Sequence, residues 1–177
     1  MWCVSVTRKL EGSEHSVRAM VNMLKAPLFI AFGPLDWLDM NNKRHKVSGQ
    51  ELFHQLVSRR VWFCPRSVRA SKGTPALFYL KGVGVLARAD IDEVTAVQAE
   101  DLPLLSQYAL QYLRTKLGLQ NIEMYEPPID IRPLIPELAF IKNKGRHWGT
   151  ALRPSPRYIS PADFDRIASA ASEFTST

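Results

Sequence analysis

Val61-Trp62-Phe63-Cys64-Pro65-Arg66-Ser67-Val68-Arg69-Ala70-Ser71-Lys72-Gly73-Thr74-Pro75 runs into Ala76-Leu77-Phe78-Tyr79-Leu80 and, past Lys81, into Gly82-Val83-Gly84-Val85-Leu86-Ala87-Arg88-Ala89. Strand character dominates. Val61 to Cys64 is a short apolar strand broken by Pro65, and Ser71 to Pro75 is a turn into a second strand over 76–80. Lys81-Gly82 then permits an immediate antiparallel return. The small and β-branched residues over 82–89 suit a strand that packs closely on a neighbour or leaves room above itself for a ligand. Period-two alternation sends Phe78 and Tyr79 to opposite faces, so at most one of them lines a given pocket.

On the N-terminal side, Trp2 to Val6 reads as a strand, and Ser13 caps a helix carrying Val17, Met20, Val21 and Leu24 that Pro27 stops. Leu28 to Phe32 is a buried strand, and Lys43-Arg44-His45-Lys46 a basic loop. Ser48-Gly49-Gln50-Glu51 has the capping-box form and opens a helix with Leu52, Phe53, Leu56 and Val57 inward. On the C-terminal side, Leu102, Leu105, Ala109, Tyr112 and Leu113 recur at helical spacing and predict a helix over 102–117, with Gly118 just past its end. Pro127, Pro128, Pro133 and Pro136 mark 125–137 as extended surface chain. A strand over 138–141, a loop over 143–146 and a short return over 148–152 follow. Ser160 caps the last helix, with Pro161 at its first position and Phe164, Ile167, Ala168 and Ala171 inward. No βαβ rhythm and no repeat is present, so the expectation is one α+β domain over residues 1–177, a mainly antiparallel sheet curled against helices.

Charge is segregated along the chain. From Leu52 to Ala89 there is no acid, while Arg59, Arg60, Arg66, Arg69, Lys72, Lys81 and Arg88 supply seven positive charges. From Asp90 to Glu137 nine acids face three bases. From Leu138 to Ala162 acids vanish again, leaving Lys142, Lys144, Arg146, Arg153 and Arg157 around His147 and Trp148. Two basic blocks that met in space would concentrate polyanions and release counterions from phosphates. Spread over several faces, the same residues are only a solvated surface. Trp62, Phe63, Phe78, Tyr79 and Trp148 lie within the acid-free blocks, and rings beside Arg and Lys are what stacking on unpaired bases requires.

Other function classes find little support. No apolar run reaches the roughly 18 residues of a membrane span, and the N-terminus lacks a signal-peptide layout, so a cytoplasmic protein is expected. Cys3 and Cys64, the two cysteines, make neither a disulfide framework nor a zinc site. His15, His45, His54 and His147 show no metal-ligand spacing, so neither a metal nor a cofactor is expected. Asp90, Asp92 and Glu93 read as a solvated acidic turn, and Cys64, inside an apolar run, as an inert buried thiol. No catalytic constellation emerges, and a binding module without chemistry of its own is expected.

The stretches 61–89 and 138–167 together resemble the PUA-like superfamily, and within it the EVE-type domains whose relatives include YTH and ASCH domains. The resemblance covers roughly residues 55–170. It is carried by the basic segment Val68-Arg69-Ala70-Ser71-Lys72-Gly73, the Phe78-Tyr79 strand, the glycine-containing strand 82–89, and Leu138 to Lys144. The His147-Trp148-Gly149 turn, Arg153 and the Ile159-Ser160-Pro161-Ala162-Asp163-Phe164 helix start complete it. Where EVE domains carry Gly-Asp after the lysine, this chain has Gly73-Thr74-Pro75. The resemblance implies a small barrel-like sheet whose aromatic pocket accepts a flipped, often modified, base.

Flipping costs a few kcal/mol, which stacking and phosphate clamping can offset. Trp148, near Lys142, Asn143, Lys144 and Arg146, is the first stacking candidate, unless it anchors its turn under the last helix. Trp62 and Tyr79 follow, Trp62 with a strong pull toward the core from Val61 and Phe63. Arg66 and Ser67 suit a pocket rim, and Arg69, Lys72, Lys81, His147 and Arg153 complete the candidate set for DNA or RNA. The alternatives are a nucleotide- or RNA-acting enzyme of the same fold, or a partner-binding subunit of a restriction, defence or RNA-modification system that docks through 90–137.

Overall fold

The computed structural model describes residues 26–38, 43–104, 112–153 and 155–174. The strand and helix expected before Pro27 lie outside these residues. The described chain runs β1 (Leu28–Phe32), β2 (Leu35–Leu38), β3 (Arg44–Val47), α1 (Gly49–Val57), β4 (Val61–Cys64), β5 (Pro75–Leu80), β6 (Gly84–Ala96), β7 (Thr115–Ile129), β8 (Arg157–Tyr158) and α2 (Pro161–Phe174), with 3-10 turns at Ala99–Leu104, Arg132–Leu134 and Trp148–Leu152.

Six strands form one mixed sheet in the order β4-β7-β6-β5-β1-β8, and β2-β3 form a separate hairpin. Among the described residues only β1 and β5 pair in parallel, Ala31 beside Tyr79; the other ladders of the sheet are antiparallel. The long β6–β7 ladder shifts register at three places, and β5–β6 at one. Each added residue bends its strand and increases the twist, which curls the sheet. This is the α+β architecture expected.

The two faces bury two cores. On one, Phe53 and Leu56 of α1 join Leu28, Ile30, Trp62, Phe78 and Ile91; on the other, Phe164, Ile167 and Ala170 of α2 join Phe29, Leu77, Tyr79, Ile129 and Ile141. Full burial of a Phe or Ile side chain is worth about 1.5–3 kcal/mol, so each helix is held chiefly by its apolar stripe. Phe78 and Tyr79 do face opposite ways. Both caps form as expected: Ser48 Oγ accepts from the Glu51 N–H at 3.1 Å, and Ser160 Oγ from the Asp163 N–H at 3.0 Å.

Six expectations are corrected. Residues 105–111 of the expected helix lie outside the described residues, but Leu102–Leu104 end a 3-10 turn and Thr115–Leu117 already belong to β7. Leu117 pairs with Trp62 on one side and Val94 on the other, and two ladders outweigh a local helical pattern. Gly118 is no helix end: it is inside β7, where a Cβ would lie 2.7 Å from Glu93 Cγ.

The proline run over 125–129 is strand, not loose surface chain. It forms a bulge between Met124, opposite Ala87, and Ile129, opposite Val85, where Pro127 and Pro128 have no ladder bond to supply. Residues 138–141 make no strand, because the Asp163 carboxylate accepts the N–H groups of Ala139 at 2.7 Å and Phe140 at 3.2 Å. Trp148–Leu152 is a 3-10 turn rather than a return strand. Arg44–Val47 is a strand, paired with Leu35–Leu38. The Asp90 to Glu93 acids sit within β6, Asp92 bound to Lys72 at 2.6 Å and Asp90 to the Asn121 amide at 2.8 Å.

Among the described residues no helix is long and apolar enough to cross a membrane, and no His, Cys, Asp and Glu group could hold a metal.

Candidate nucleic-acid interface

Three backbone features converge beyond the ends of β1 and β5. Residues after β1 turn away through Gly33 and Pro34. The β5–β6 turn spans Lys81 to Val83 and is pinned to β1 by the Lys81 N–H on the Phe32 carbonyl at 2.9 Å. The turn after residue 145 is closed by Trp148 N–H on Gly145 and by the Thr150 hydroxyl on the His147 carbonyl at 2.8 Å. Ser155 Oγ accepts from the Ala31 N–H at 2.8 Å and fixes the end of that segment to β1.

Between them lies an open cleft of about 800 Å³. Gly84 borders it with φ +145°, and a Cβ there would stand 2.5 Å from the Ile129 carbonyl oxygen. Only glycine lets β6 start this close to the end of β7.

Among the described residues Lys81, Arg132, Arg146 and Arg153 line the cleft against a single acid, Asp130. Asp130 grips Arg132 through Nε at 2.9 Å and Nη2 at 2.7 Å, and its carboxyl is held below the ordinary carboxylate range chiefly by that hydrogen bond. Lys81, Arg146 and Arg153 form no ion pair among the described residues. The cleft wall is therefore positive, and a positive concavity raises the local concentration of anions.

Trp148 is half-buried, packed against the α2-side core with the rest of its ring at the cleft. Tyr79 is 6% exposed and its ring stacks on Phe29 at 5.6 Å, so the ring belongs to the core and the hydroxyl is what it offers. Burial pushes that phenol above its ordinary value, Asp130 adding to the shift while the Gly82 N–H and Arg132 oppose it.

Six of the residues named from sequence thus meet at the cleft: Tyr79, Lys81, Arg146, His147, Trp148 and Arg153. The others do not. Trp62 is 4% exposed and wedged among Phe32, Phe53 and Phe78 in the α1-side core. Arg66, Ser67, Arg69 and Lys72 lie on the β4–β5 connection, away from the cleft lining. Lys142 is exposed outside it; Asn143 accepts from the Gly145 N–H at 3.0 Å. Lys144 donates to the carbonyls of Ile135, at 2.8 Å, and Leu138. Its charge caps a turn. Burial pushes the Cys64 thiol up to about 12, which keeps it unreactive.

Sequence reasoning missed Arg132 and Asp130. The available signal was an acid and an arginine two positions apart before Pro133, a spacing that lets one side chain reach back to the other.

No family model matches this chain, and no curated protein does. Among solved structures it is similar to two variants of the ASCH protein of Zymomonas mobilis. The serine-to-alanine variant aligns with TM-score 0.53 and 13% identity over 82% of this chain and 96% of the other. The tyrosine-to-phenylalanine variant aligns with TM-score 0.50 and 13% identity over 81% and 97%. The shared feature is the fold, a curled α+β sheet with packed helices like that of the ASCH protein.

Proposed function

We propose that this chain is a nucleic-acid-binding module that receives an unpaired or flipped base in the cleft and holds the flanking phosphates with Lys81, Arg146 and Arg153. One observation carries the proposal: cations from the β5–β6 turn and from the 146–153 segment, far apart in sequence, line one concavity with Trp148. Trp148 supplies the apolar surface for a base, and the three cations supply salt-dependent affinity. The PUA-like fold supports the same role, and the EVE-type resemblance extends it to a modified base read in a cytoplasmic setting. Docking of a protein on the acidic 90–137 stretch is less well supported, since Asp92, Asp101, Glu123, Asp130 and Glu137 are already bound by the chain's own cations.

Fluorescence anisotropy tests this with single- and double-stranded DNA and RNA, plain and methyl- or hydroxymethyl-modified, at two salt concentrations. Replacing Lys81, Arg146 and Arg153 together by Ala is expected to flatten the salt dependence by about two units of slope on a single strand. Trp148→Ala should erase preference among bases and leave that slope alone. Absence of binding to every probe at low salt would sink the proposal.

A further inference from the structure

Arg132 differs in kind from the other cations of the cleft. Its backbone N–H binds Asp130 Oδ1 at 3.0 Å, and its Nε and Nη2 bind the same carboxylate, so backbone and side chain are held by one acid two residues away. The side chain is nevertheless 74% exposed. Of the five guanidinium N–H donors, those on Nε and one on Nη2 are spent on Asp130. The Nη1 pair and the second Nη2 hydrogen remain, in a plane that the carboxylate orients.

Two consequences follow from that pairing. The carboxylate cancels most of the charge that a phosphate would feel, which makes Arg132 a weaker phosphate clamp than Lys81, Arg146 or Arg153. It also removes the rotamer freedom that an arginine otherwise loses on binding, which favours directional hydrogen bonding. A rigid, nearly neutral fork suits a planar ligand edge with two adjacent acceptors. Among the bases guanine offers that edge through O6 and N7, the commonest partner of an arginine fork. Adenine, uracil and thymine present no two adjacent acceptors; unpaired cytosine does, through N3 and O2, and is the competitor to be tested against guanine. The Tyr79 hydroxyl, which feels both Asp130 and Arg132, lines the same cleft and can serve the same edge.

Building on the nucleic-acid reading above, we infer that Arg132, buttressed by Asp130, is the specificity-determining residue of the cleft and selects guanine through its O6 and N7 acceptors. The probes are fluorescein-labelled oligouridylate, and oligothymidylate in parallel, each plain or carrying one central guanine, 7-deazaguanine, adenine or cytosine nucleotide. The wild-type chain should bind the guanine probe about tenfold tighter than the 7-deazaguanine, adenine and cytosine probes. Arg132→Lys keeps the charge and loses the fork. It should reduce the guanine probe to the level of the adenine probe, with the salt slope on the plain oligonucleotide unchanged because the charge is kept. Asp130→Asn should lower the guanine preference while affinity for the plain oligonucleotide holds or rises, because a negative charge has left the cleft. Equal binding of guanine and 7-deazaguanine by the wild type, or a guanine preference that survives Arg132→Lys, would overturn the assignment while leaving the nucleic-acid proposal standing. Failure of the wild type to bind any probe at low salt would overturn both.

Discussion

Tyr158 and Arg69 are joined in both directions: the phenol oxygen accepts the Arg69 backbone N–H and its hydrogen is donated to the Arg69 carbonyl, each at 2.9 Å. One hydroxyl therefore satisfies both polar groups of a residue in the β4–β5 connection and ties that connection to β8. Tyr158→Phe removes both bonds and keeps the ring. A loss of about 1–2 kcal/mol is expected, read as a lower urea midpoint at constant slope. A change below about 0.5 kcal/mol would mean that water replaces the hydroxyl at no cost.

Asp163 is 5% exposed, and its two oxygens receive the N–H groups of Ala139 and Phe140. Those N–H groups have no strand ladder to fall back on. Asp163→Ala leaves them without an acceptor near the buried Leu138 and Ile141, for an expected loss of about 3 kcal/mol in urea unfolding. Asp163→Asn retains one acceptor oxygen and should lose less. Equal losses in the two variants would show that the single acceptor oxygen kept by Asn contributes nothing.

Lys144 and Arg146 are separated by one residue and have opposite duties. Lys144→Ala is expected to cost about 1–2 kcal/mol of stability, since its ammonium bridges the Ile135 and Leu138 carbonyls, and to leave the salt slope of nucleic-acid binding unchanged. Arg146→Ala should do the reverse: unchanged thermal melting, and a slope lower by about 0.7 on single strands. Exchange of the two phenotypes would place the phosphate contact on the wrong side of the turn.

Acid should destabilise the fold through identified carboxylates. For Asp101, burial alone would raise the carboxyl, but the Gln98 N–H and the Lys116 ammonium at 2.6 Å outweigh it and hold the group below the ordinary range. Asp130, gripped by Arg132, and Glu137, gripped by Arg166, are lowered too. A group whose folded pKa lies below its unfolded value binds fewer protons when folded. Its contribution is complete above the unfolded value, near about 4, and is lost as pH falls through the folded one. Urea midpoints should therefore drop below pH ~4. Asp101→Asn should be less stable at neutral pH and show a shallower acid limb. A parallel pair of curves would remove Asp101 from the account.

Much of the sheet can be read from the residues because its signals are local. Lys81-Gly82 joins two strands with clear alternation, and Ser48 and Ser160 stand where their oxygens can reach the third N–H onward. The helical spacing from Leu102 misled because nothing in Thr115 to Leu117 reveals two strands waiting on either side. Leu138 to Ile141 has strand composition, but the partner of its N–H groups is a side chain on a helix further along.

At the site, the same distinction applies. Lys81, Arg146, Trp148 and Arg153 were legible as rings and cations in acid-free segments. Trp62 carried the same local signature, and only the three-dimensional packing of Phe32, Phe53 and Phe78 around it puts it in the core. Arg132 was hidden because it belongs to the acidic block and a proline run, where an arginine reads as charge compensation.

β1 is clasped by two strands that are translated long after it, β5 in parallel and β8 in antiparallel. During synthesis the edge of β1 opposite β5 stays open until Arg157 and Tyr158 have left the ribosome, and Ser155, which anchors Ala31, emerges at the same late stage. Such distant pairings make for a slow, cooperative closure. The cleft that lies beyond β1 is consequently among the last parts of the molecule to take shape, and a nascent chain halted before Ser155 would present its cations without the cavity they line.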